Sequence, residues 1–278
     1  MLLSVQPGQL NGGLGSAEMC SDANPPVWLC LLGHFRLLKN GQLLDVRSGG
    51  KTEALLAHLG LGGDYGVPRD VLLHAIWPRS DAALAAQALN SLVHSLRNLL
   101  GEALCGAPPV VQTGGHYRLN EAAGVGVDVV RFKLLVSRAE GSEQAGQIDT
   151  AVSLYEQAVQ LYDGELSGAA GGGARVLLER ERLRAICHRA LLRLSDYAYA
   201  RQDFAASMVH ALALLAHDPC REDAHRLVMR CHVRLGERSQ AVYHYRTVQA
   251  ILRGEYDAEP EPATTALFEQ IRLNSQAV

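Results

Sequence analysis

The chain has 278 residues, of which 48% are hydrophobic and 20% are charged, a composition typical of a globular protein rather than a disordered or collagen-like one. Its formal charge of −3 excludes a basic stripe along the whole chain, and 5% aromatic residues are too few for a base-stacking or sugar-binding surface. A chain of this length predicts about two domains, and it can bury a core without disulfides or bound metals.

The six cysteines are widely and irregularly spaced and include no C-x-x-C pair, which indicates reduced thiols in a cytosolic protein. The apolar start at residues 1–5 lacks the basic region and the length of a signal peptide. No stretch of the sequence reaches the ~18 uncharged apolar residues of a membrane span. We therefore expect a cytoplasmic protein that does not contact a membrane.

Residues 1–26 are rich in Gly, Ser, Asn and Pro, and we interpret them as a disordered leader. Strand-like apolar runs follow at residues 27–38 and 43–46. The dipeptide Asn40-Gly41 stands between these runs and is the strongest short hairpin signal. The first domain is therefore predicted to open with a β-hairpin.

Three helical patterns come next, over residues 51–61, 69–76 and roughly 82–100. The second pattern begins after a proline and ends before Trp-Pro, which disfavours continuation of the helix. Asp81 is a suitable N-cap for the third helix, and Gly101 closes it.

A second hairpin is predicted over residues 110–119, with Gly114-Gly115 as its turn. Two helices joined by a short turn and followed by a hairpin are the order of elements in a winged helix-turn-helix. We therefore predict an α+β winged helix-turn-helix domain over residues 27–120. Its 8 basic and 6 acidic side chains give it a mildly basic charge of +2, as a DNA-binding domain would have.

Beyond the second hairpin the pattern is almost purely helical and contains a weak internal repeat. Copies start at Gly146 and Gly236, and a degenerate copy starts at Arg201, 35 residues before Gly236. That spacing is close to the roughly 34 residues of tetratricopeptide repeats. A Gly- and Ala-rich loop over residues 164–174 separates the first two copies. We predict an all-α, tetratricopeptide-like helical repeat domain over residues 127–274.

Eight short motifs, each weak alone, stand in the order found in one family. Residues 68–78 resemble the helix-turn of OmpR-type winged helices, residues 88–101 resemble their recognition helix, and residues 115–119 resemble the Gly-x-Tyr-x-Leu of their wing. Val127-Asp128-Val129 follows the wing as it does in that family. Later segments resemble landmarks of a bacterial transcriptional activator domain: residues 164–166, 179–183, 218–227 and 259–268. Over about residues 27–274 the chain is similar to the antibiotic regulatory protein type of transcription activator.

This resemblance implies an activator that binds direct repeats in double-stranded DNA upstream of promoters, as a homodimer of adjacent subunits, and that recruits RNA polymerase. In a winged helix the third helix lies in the major groove. We therefore assign Asn90, His94 and Arg97 to base or phosphate contact, and we expect Lys51 and Arg118 to contact phosphates.

The helical domain is expected to carry a partner-binding groove formed by the inner helices of its repeats. Aromatic and Arg side chains are enriched among interface hot spots. We therefore predict that the groove lies around four such residues: Tyr155, Tyr243, Tyr245 and Arg246.

Two alternatives remain open. Since Arg97 is the only permanent cation in the third helix, the winged helix could belong to a protein-interaction module that binds DNA weakly or not at all. A weaker alternative is the sensor end of a larger regulator that has lost its ATPase domain. The sequence contains no serine-hydrolase elbow, no His-Glu-x-x-His and no complete phosphate-binding loop, so we expect no enzyme, no cofactor and no metal site.

Overall fold

The structure, a computed structural model, describes residues 25–47, 49–167 and 173–273. It divides into two compact units. Among the described residues, the first unit consists of residues 25–130 with 166, 167 and 173, and the second consists of residues 131–165 and 174–273. The predicted disordered leader, up to residue 24, lies outside the described residues.

The first unit contains the elements of a winged helix-turn-helix in the expected order. They are β1 (Val27–Cys30), β2 (Arg36–Lys39), β3 (Gln42–Leu43), α1 (Lys51–Gly62), β4 (Val67–Pro68), α2 (Arg69–Ile76), α3 (Ala82–Leu100), β5 (Val110–Thr113), β6 (His116–Leu119) and β7 (Val125–Val127). Strands β3-β2-β1-β7 form one sheet, in which β7 is parallel to β1, and β4-β6-β5 form a second, antiparallel sheet. The predicted fold of this half of the chain is confirmed.

The Asn-Gly hairpin predicted between the first strands is confirmed. Asn40 and Gly41 have φ values of 49° and 78°, as a two-residue turn that follows the twist of the strands requires. The predicted run over residues 27–38 is not one strand: β1 ends at Cys30, and β2 begins at Arg36 and pairs with β1 in the antiparallel direction. Strand β3 is also shorter than predicted, with only two residues. The backbone N–H groups of Leu31 and Leu32 leave the sheet ladder and donate to a side chain instead.

That side chain is Asp128, which follows β7 and begins α4 (Asp128–Gln144). Its Oδ2 accepts hydrogen bonds from the N–H groups of Leu31 at 2.7 Å and Leu32 at 2.8 Å, and its Oδ1 accepts one from Val129 at 2.7 Å. Burial raises the pKa of this carboxyl from 3.8 to about 6, although the three N–H donors favour the charged form. Asp128 therefore joins the end of β1 to the start of α4.

The border between the two units differs from the predicted domain boundaries. The predicted boundaries leave residues 121–126 between the two domains and start the helical domain at residue 127. In the structure β7 pairs with β1, and the Asp128 carboxylate binds the end of that strand, so the first unit extends to Val130. Leu166, in the predicted Gly- and Ala-rich loop, also belongs to it, because it forms an antiparallel bridge with Leu32.

In the core of the first unit, α1 packs against the sheet that contains β1 and β7, and it also contacts α2 and α3. A Cβ atom added at Gly60 would lie 2.8 Å from Cδ1 of Leu31 and 3.1 Å from Cδ2 of Leu29, so this close contact of α1 with β1 requires a glycine. Side chains with at most 2% exposure in this core include Leu29, Leu31, Leu55, Leu59, Leu72, Ile76 and Leu89.

Among the described residues, the regular elements of the second unit are all helices, and it contains most of α4. The other helices are α5 (Ile148–Leu161), α6 (Ala174–Ala200), α7 (Phe204–His217), α8 (Glu222–Arg234), α9 (Arg238–Tyr256) and α10 (Pro262–Leu273). The pairs α4/α5, α6/α7 and α8/α9 are each joined by a three-residue turn with one residue in the left-handed region. These residues are Gly146 (φ 73°), Gln202 (φ 63°) and Gly236 (φ 79°). The predicted tetratricopeptide-like repeat is confirmed.

The turns fix a repeat register that is one residue different from the predicted one. Gln202, rather than Arg201, is equivalent to Gly236, and these two positions are 34 residues apart. The sequence hides this register because the middle repeat has Gln where the others have Gly. In the second helix of each pair (α5, α7 and α9, called the outer helices below), the residues five, nine and twelve positions after the left-handed turn residue are buried. They are Ala151, Tyr155 and Ala158; Ser207, Ala211 and Leu214; Ala241, Tyr245 and Val248.

In the middle repeat a serine, Ser207, stands where the other repeats have Ala151 and Ala241, and it is hydrogen-bonded to Ser195 of α6. The Ser195 hydroxyl donates to the Ser207 carbonyl oxygen at 2.6 Å, and the Cys231 thiol lies 3.4 Å from the Ser207 hydroxyl oxygen. All three side chains are fully buried. The two serines can be buried because each hydroxyl has a hydrogen-bond partner.

Two histidines connect α8 to α9 through a hydrogen bond between their rings. His225 Nε2 lies 2.8 Å from the Pro219 carbonyl oxygen and must donate to it, so Nδ1 of neutral His225 accepts from His244 Nε2 at 2.9 Å. Burial and the neighbouring His225 and His232 lower the pKa of His244 to about 4. Among the described residues, no group of three or more His, Cys, Asp or Glu side chains could hold a metal ion.

We predict that Asp128→Ala destabilises the first unit by about 3 kcal/mol, because it leaves buried N–H groups of Leu31 and Leu32 without acceptors. Asp128→Asn should cost less, since the amide oxygen retains part of this role. Both tryptophans of the chain, Trp28 and Trp77, lie in the first unit, so their fluorescence during urea denaturation reports on it.

The same experiment tests the charge of Asp128. Since its folded pKa of about 6 lies above the unfolded value of 3.8, the folded state binds the proton more tightly. The free energy of unfolding of the wild type should therefore rise relative to that of Asp128→Asn as the pH falls from 7 to 5. A difference that does not change with pH would contradict the raised pKa.

Candidate nucleic-acid interface

The helix-turn-helix is built by local signals at both ends of its turn. α2 ends at Ile76 before Trp77-Pro78, and α3 begins after Asp81. Oδ1 of Asp81 accepts hydrogen bonds from the N–H groups of Ala83 at 2.8 Å and Leu84 at 3.4 Å. Asp81 is therefore the predicted N-cap, and it fixes where the third helix begins.

α3 has one buried face and one exposed polar face. Ala85, Leu89, Leu96 and Leu100 are buried at helical spacing and attach the helix to the core. The predicted contact residues Asn90, His94 and Arg97 are all exposed and follow one another at i, i+4 and i+7. The structure therefore brings these three residues together on one side of the helix.

Several polar groups on this face already have partners within the helix. The Ser91 hydroxyl donates to the Gln87 carbonyl and the Ser95 hydroxyl to the Ser91 carbonyl, each at 3.0 Å. The Asn98 amide lies 3.3 Å from His94 Nε2. The guanidinium of Arg97 has no hydrogen bond or ion pair to any described residue, so it is available to a partner.

The β5–β6 hairpin forms the wing. Gly114 and Gly115 have φ values of 57° and 79° and make its exposed tip. The Gly115 carbonyl accepts the N–H of Arg69 at 3.0 Å, which ties the wing to the first residue of α2. Thus the wing and the helix-turn-helix have a fixed position relative to each other within this unit.

Two of the predicted phosphate contacts have neighbours that reduce their availability. The Lys51 ammonium donates to the carbonyl oxygen of Ile76 at the C-terminus of α2, and it lies 5.9 Å from the centre of the Trp77 ring. Arg118 is exposed on β6 but lies near Glu121, a carboxyl whose pKa is raised by burial and lowered in part by this arginine. The geometry gives Lys51 a clear role in capping α2.

Two exposed arginines that the sequence analysis did not select flank the helix-turn-helix. Arg69 begins α2, and Arg79 lies in the turn before α3. Within the described chain, neither side chain forms an ion pair. Their position could have identified them: Arg69 is the first residue of α2, and Arg79 lies shortly before the amino end of α3.

The predicted partner groove must be corrected, because its four residues do not share a surface. Tyr155 is only 2% exposed, and its hydroxyl donates to Glu143 Oε2 at 3.0 Å. Tyr245 is 6% exposed and stacks on Phe268 of α10, with ring centres 4.0 Å apart. Both tyrosines belong to the core because they occupy the buried ninth position of their repeats.

Tyr243 and Arg246, in contrast, are exposed on the outer side of α9. The same repeat positions on α7 hold Val209 and Leu212, which are 64% and 48% exposed, while Tyr243 is 66% exposed. We call these four residues the outer-helix patch. Sequence reasoning missed Val209 and Leu212, which an alignment of the repeats on Gln202 would have revealed.

Comparison with known proteins gives three related findings. Residues 127–272 match the model of the bacterial transcriptional activator domain. The chain is 28% identical over 245 residues to the regulatory protein AfsR of Streptomyces coelicolor and 26% identical over 245 residues to AfsR of Streptomyces griseus, which in each case covers 87% of the chain. It spans about a quarter, 24%, of the length of these relatives.

A solved structure of Mycobacterium tuberculosis EmbR, in complex with a low-affinity phosphopeptide, resembles this chain with a TM-score of 0.72 and 22% sequence identity. The match covers 91% of this chain and 68% of that one. At this identity the likeness concerns the fold. No helix among the described residues has the length and apolar character needed to cross a membrane.

Proposed function

Because the chain belongs to the family of the bacterial transcriptional activator domain, and to its antibiotic regulatory protein type, we propose that it is a DNA-binding transcriptional activator. Its first unit binds direct repeats near a promoter, and its helical unit contacts RNA polymerase. The observation that carries the proposal is the exposed face of α3, on which Asn90, His94 and Arg97 line up opposite a fully buried face.

Sequence is read by the amide and guanidinium groups of this face. An Asn side chain can form two hydrogen bonds with the edge of adenine, and Arg can form two with guanine. Both require a helix held rigidly at the surface of the domain. The cap at Asp81 and the buried face of α3 support that requirement.

Affinity comes mainly from phosphates, and we infer that Arg69, Arg79 and Arg118 contact them together with the recognition helix. Lys51 contributes less, since its ammonium is bound to the end of α2. About three or four phosphate contacts give a slope of roughly −3 to −4 for log K against log salt for one subunit. Such a subunit binds weakly, so a second copy on an adjacent repeat is needed for a stable complex.

A second candidate function is supported by the chemistry of α3. Among the described residues, Arg97 is the one cation on the exposed face of α3. The hydroxyls of Ser91 and Ser95 on this face donate to backbone carbonyl groups of the same helix. If α3 binds DNA weakly or not at all, the protein is an interaction module. Its partner then binds the outer-helix patch of Val209, Leu212, Tyr243 and Arg246.

The two candidates differ in the effect of Arg97→Ala on binding to the protein's own upstream DNA. A bidentate contact of Arg97 to a base should be worth about 1–3 kcal/mol, which is roughly a fivefold to 150-fold weakening of binding. The measurement is a fluorescence-anisotropy titration with genomic fragments at two salt concentrations. Arg138→Ala is the matched control, because it removes an equally exposed arginine from α4.

Wild-type protein that shows no site preference at low salt would contradict the DNA-binding proposal. Equal binding by Arg97→Ala and Arg138→Ala would remove Arg97 from the contact surface. Either result would favour the interaction module.

The outer-helix patch is tested by the double substitution of Tyr243 and Arg246 with Ala. Both side chains are exposed, so folding and DNA binding should be unchanged, while transcription from a reporter promoter should fall severalfold because aromatic and Arg side chains dominate contact energy. Ser153 and Glu156 occupy the same positions in the first repeat, and their double Ala variant is the control. Unchanged transcription in the Tyr243 and Arg246 variant would exclude these residues from the contact with polymerase.

A further inference from the structure

The amino-terminal part of α6 combines exposed leucines with positive charge. Arg175, Leu178 and Arg182 are spaced i, i+3 and i+7, so they lie on one side of the helix. Leu178 is 72% exposed, and the adjoining Leu177 is 46% exposed. Burial of these leucines against a partner removes apolar surface from water and is favourable. We call Arg175, Leu177, Leu178 and Arg182 the basic face.

Both arginines of the basic face are available to a partner. Neither Arg175 nor Arg182 has a hydrogen bond or an ion pair with any described residue. The two acidic residues of this segment are already paired, Glu179 with a lysine of α4 and Glu181 with Arg184. The basic face therefore keeps two positive charges around an exposed apolar centre.

The end of α9 and the link to α10 have the opposite character. Residues 255–261 contain four acidic side chains, and Tyr256 among them is 69% exposed. Two of the four carboxylates are paired with arginines of the same unit. Glu255 and Asp257 have no ion pair with a described cation. We call Glu255, Tyr256 and Asp257 the acidic corner.

The backbone holds the acidic corner in one conformation. Asp257 has a φ of 51° and ends α9. Its N–H donates to the Arg253 carbonyl oxygen at 3.2 Å, and the N–H of Ala258 donates to that of Leu252 at 3.3 Å. A segment fixed in this way loses little conformational entropy when it binds a partner.

We propose that copies of this chain associate head to tail, with the acidic corner of one copy on the basic face of the next. Tyr256 packs against the two exposed leucines, and the two free carboxylates pair with the two free guanidinium groups. Each end copy keeps one unoccupied surface, so the contact joins copies in an open row. A contact of this size belongs to the weak, transient class of interfaces.

This contact fits copies bound to direct repeats, and that consequence rests on the proposed function. Neighbouring copies on direct repeats are related by a shift along the DNA and not by a two-fold axis, so the surfaces that meet must differ. The basic face and the acidic corner are different surfaces of the same helical unit. The association itself needs no DNA.

A similar pattern on α4 provides a matched control. Arg131, Leu134 and Arg138 have the same spacing and are exposed, and neither arginine is paired with a described residue. Leu134 is 43% exposed, so this face offers less apolar surface than Leu178 does. Charge alone would make the two faces equivalent, whereas the proposed contact requires the leucines of α6.

The test is sedimentation equilibrium of the full-length protein without DNA, at low salt and over a range of concentrations. The average mass of the wild type should rise with concentration and show no plateau at the dimer. Arg175→Glu with Arg182→Glu should weaken association at least tenfold, because like charges then face each other. Leu178→Ser should weaken it severalfold. Reversal of the two arginines of α4, or Leu134→Ser, should leave it unchanged.

A mixture of two variants tests whether the two unlike surfaces meet. Glu255→Arg with Asp257→Arg should also prevent association of that variant with itself. Mixed with the variant in which Arg175 and Arg182 are replaced by Glu, it should associate as the wild type does, because each contact again joins opposite charges. Restored association also shows that both variants are folded.

Four outcomes would overturn the proposal. A wild type that stays monomeric has no such contact, and a plateau at the dimer would indicate a two-fold contact between like surfaces. Equal weakening by the α6 and α4 reversals would indicate an effect of net charge. A mixture that fails to associate would show that these two surfaces do not meet. Protein that forms the row but does not bind DNA would contradict the proposed function and support this inference.

Discussion

One buried carboxylate, that of Asp128, joins the sheet of the first unit to the start of α4. Asp128 takes the N–H groups of Leu31 and Leu32 out of the sheet and accepts the N–H of Val129 at the start of α4. Strand β1 therefore ends at Cys30, beside the parallel strand β7. A carboxylate at 2% exposure is unfavourable in itself, and it is retained because three donors converge on it.

The position of β1 determines where α2 and α3 lie. Leu29 and Leu31 pack on α1 at Gly60. The helix α1, whose leucines are buried, in turn contacts α2 and α3. Once α3 is fixed by Leu89 and Leu96, its opposite side is exposed. The polar character of that side then follows from the sequence alone, and so does its low charge.

Local signals made most of the first unit predictable. The boundaries of α2, β5 and β6 agree with those expected, because Pro68, Trp77-Pro78 and Gly114-Gly115 act through the backbone of a few neighbouring residues. The Lys51 contact could not be predicted in this way, since it joins residues 25 positions apart. The role of Asp128 was hidden for the same reason, because the two N–H groups that donate to its Oδ2 lie 97 and 96 residues earlier.

The helical unit was predictable as a repeat but not in its register. Ala151, Tyr155 and Ala158 are spaced i, i+4 and i+7, a spacing that indicates one buried face. The predicted partner groove included Tyr155 and Tyr245 because of their residue type, although this spacing places both side chains in the core.

The most direct test of the central claim is photocrosslinking of the full-length protein to its upstream DNA. The photoreactive residue p-benzoylphenylalanine replaces either Ser91, on the exposed face of α3, or Ser153, exposed on α5. Reading of DNA by α3 predicts crosslinks from position 91 to bases within one major groove, and none above background from position 153. Equal or absent crosslinking from the two positions would contradict the proposal that this face of α3 contacts DNA.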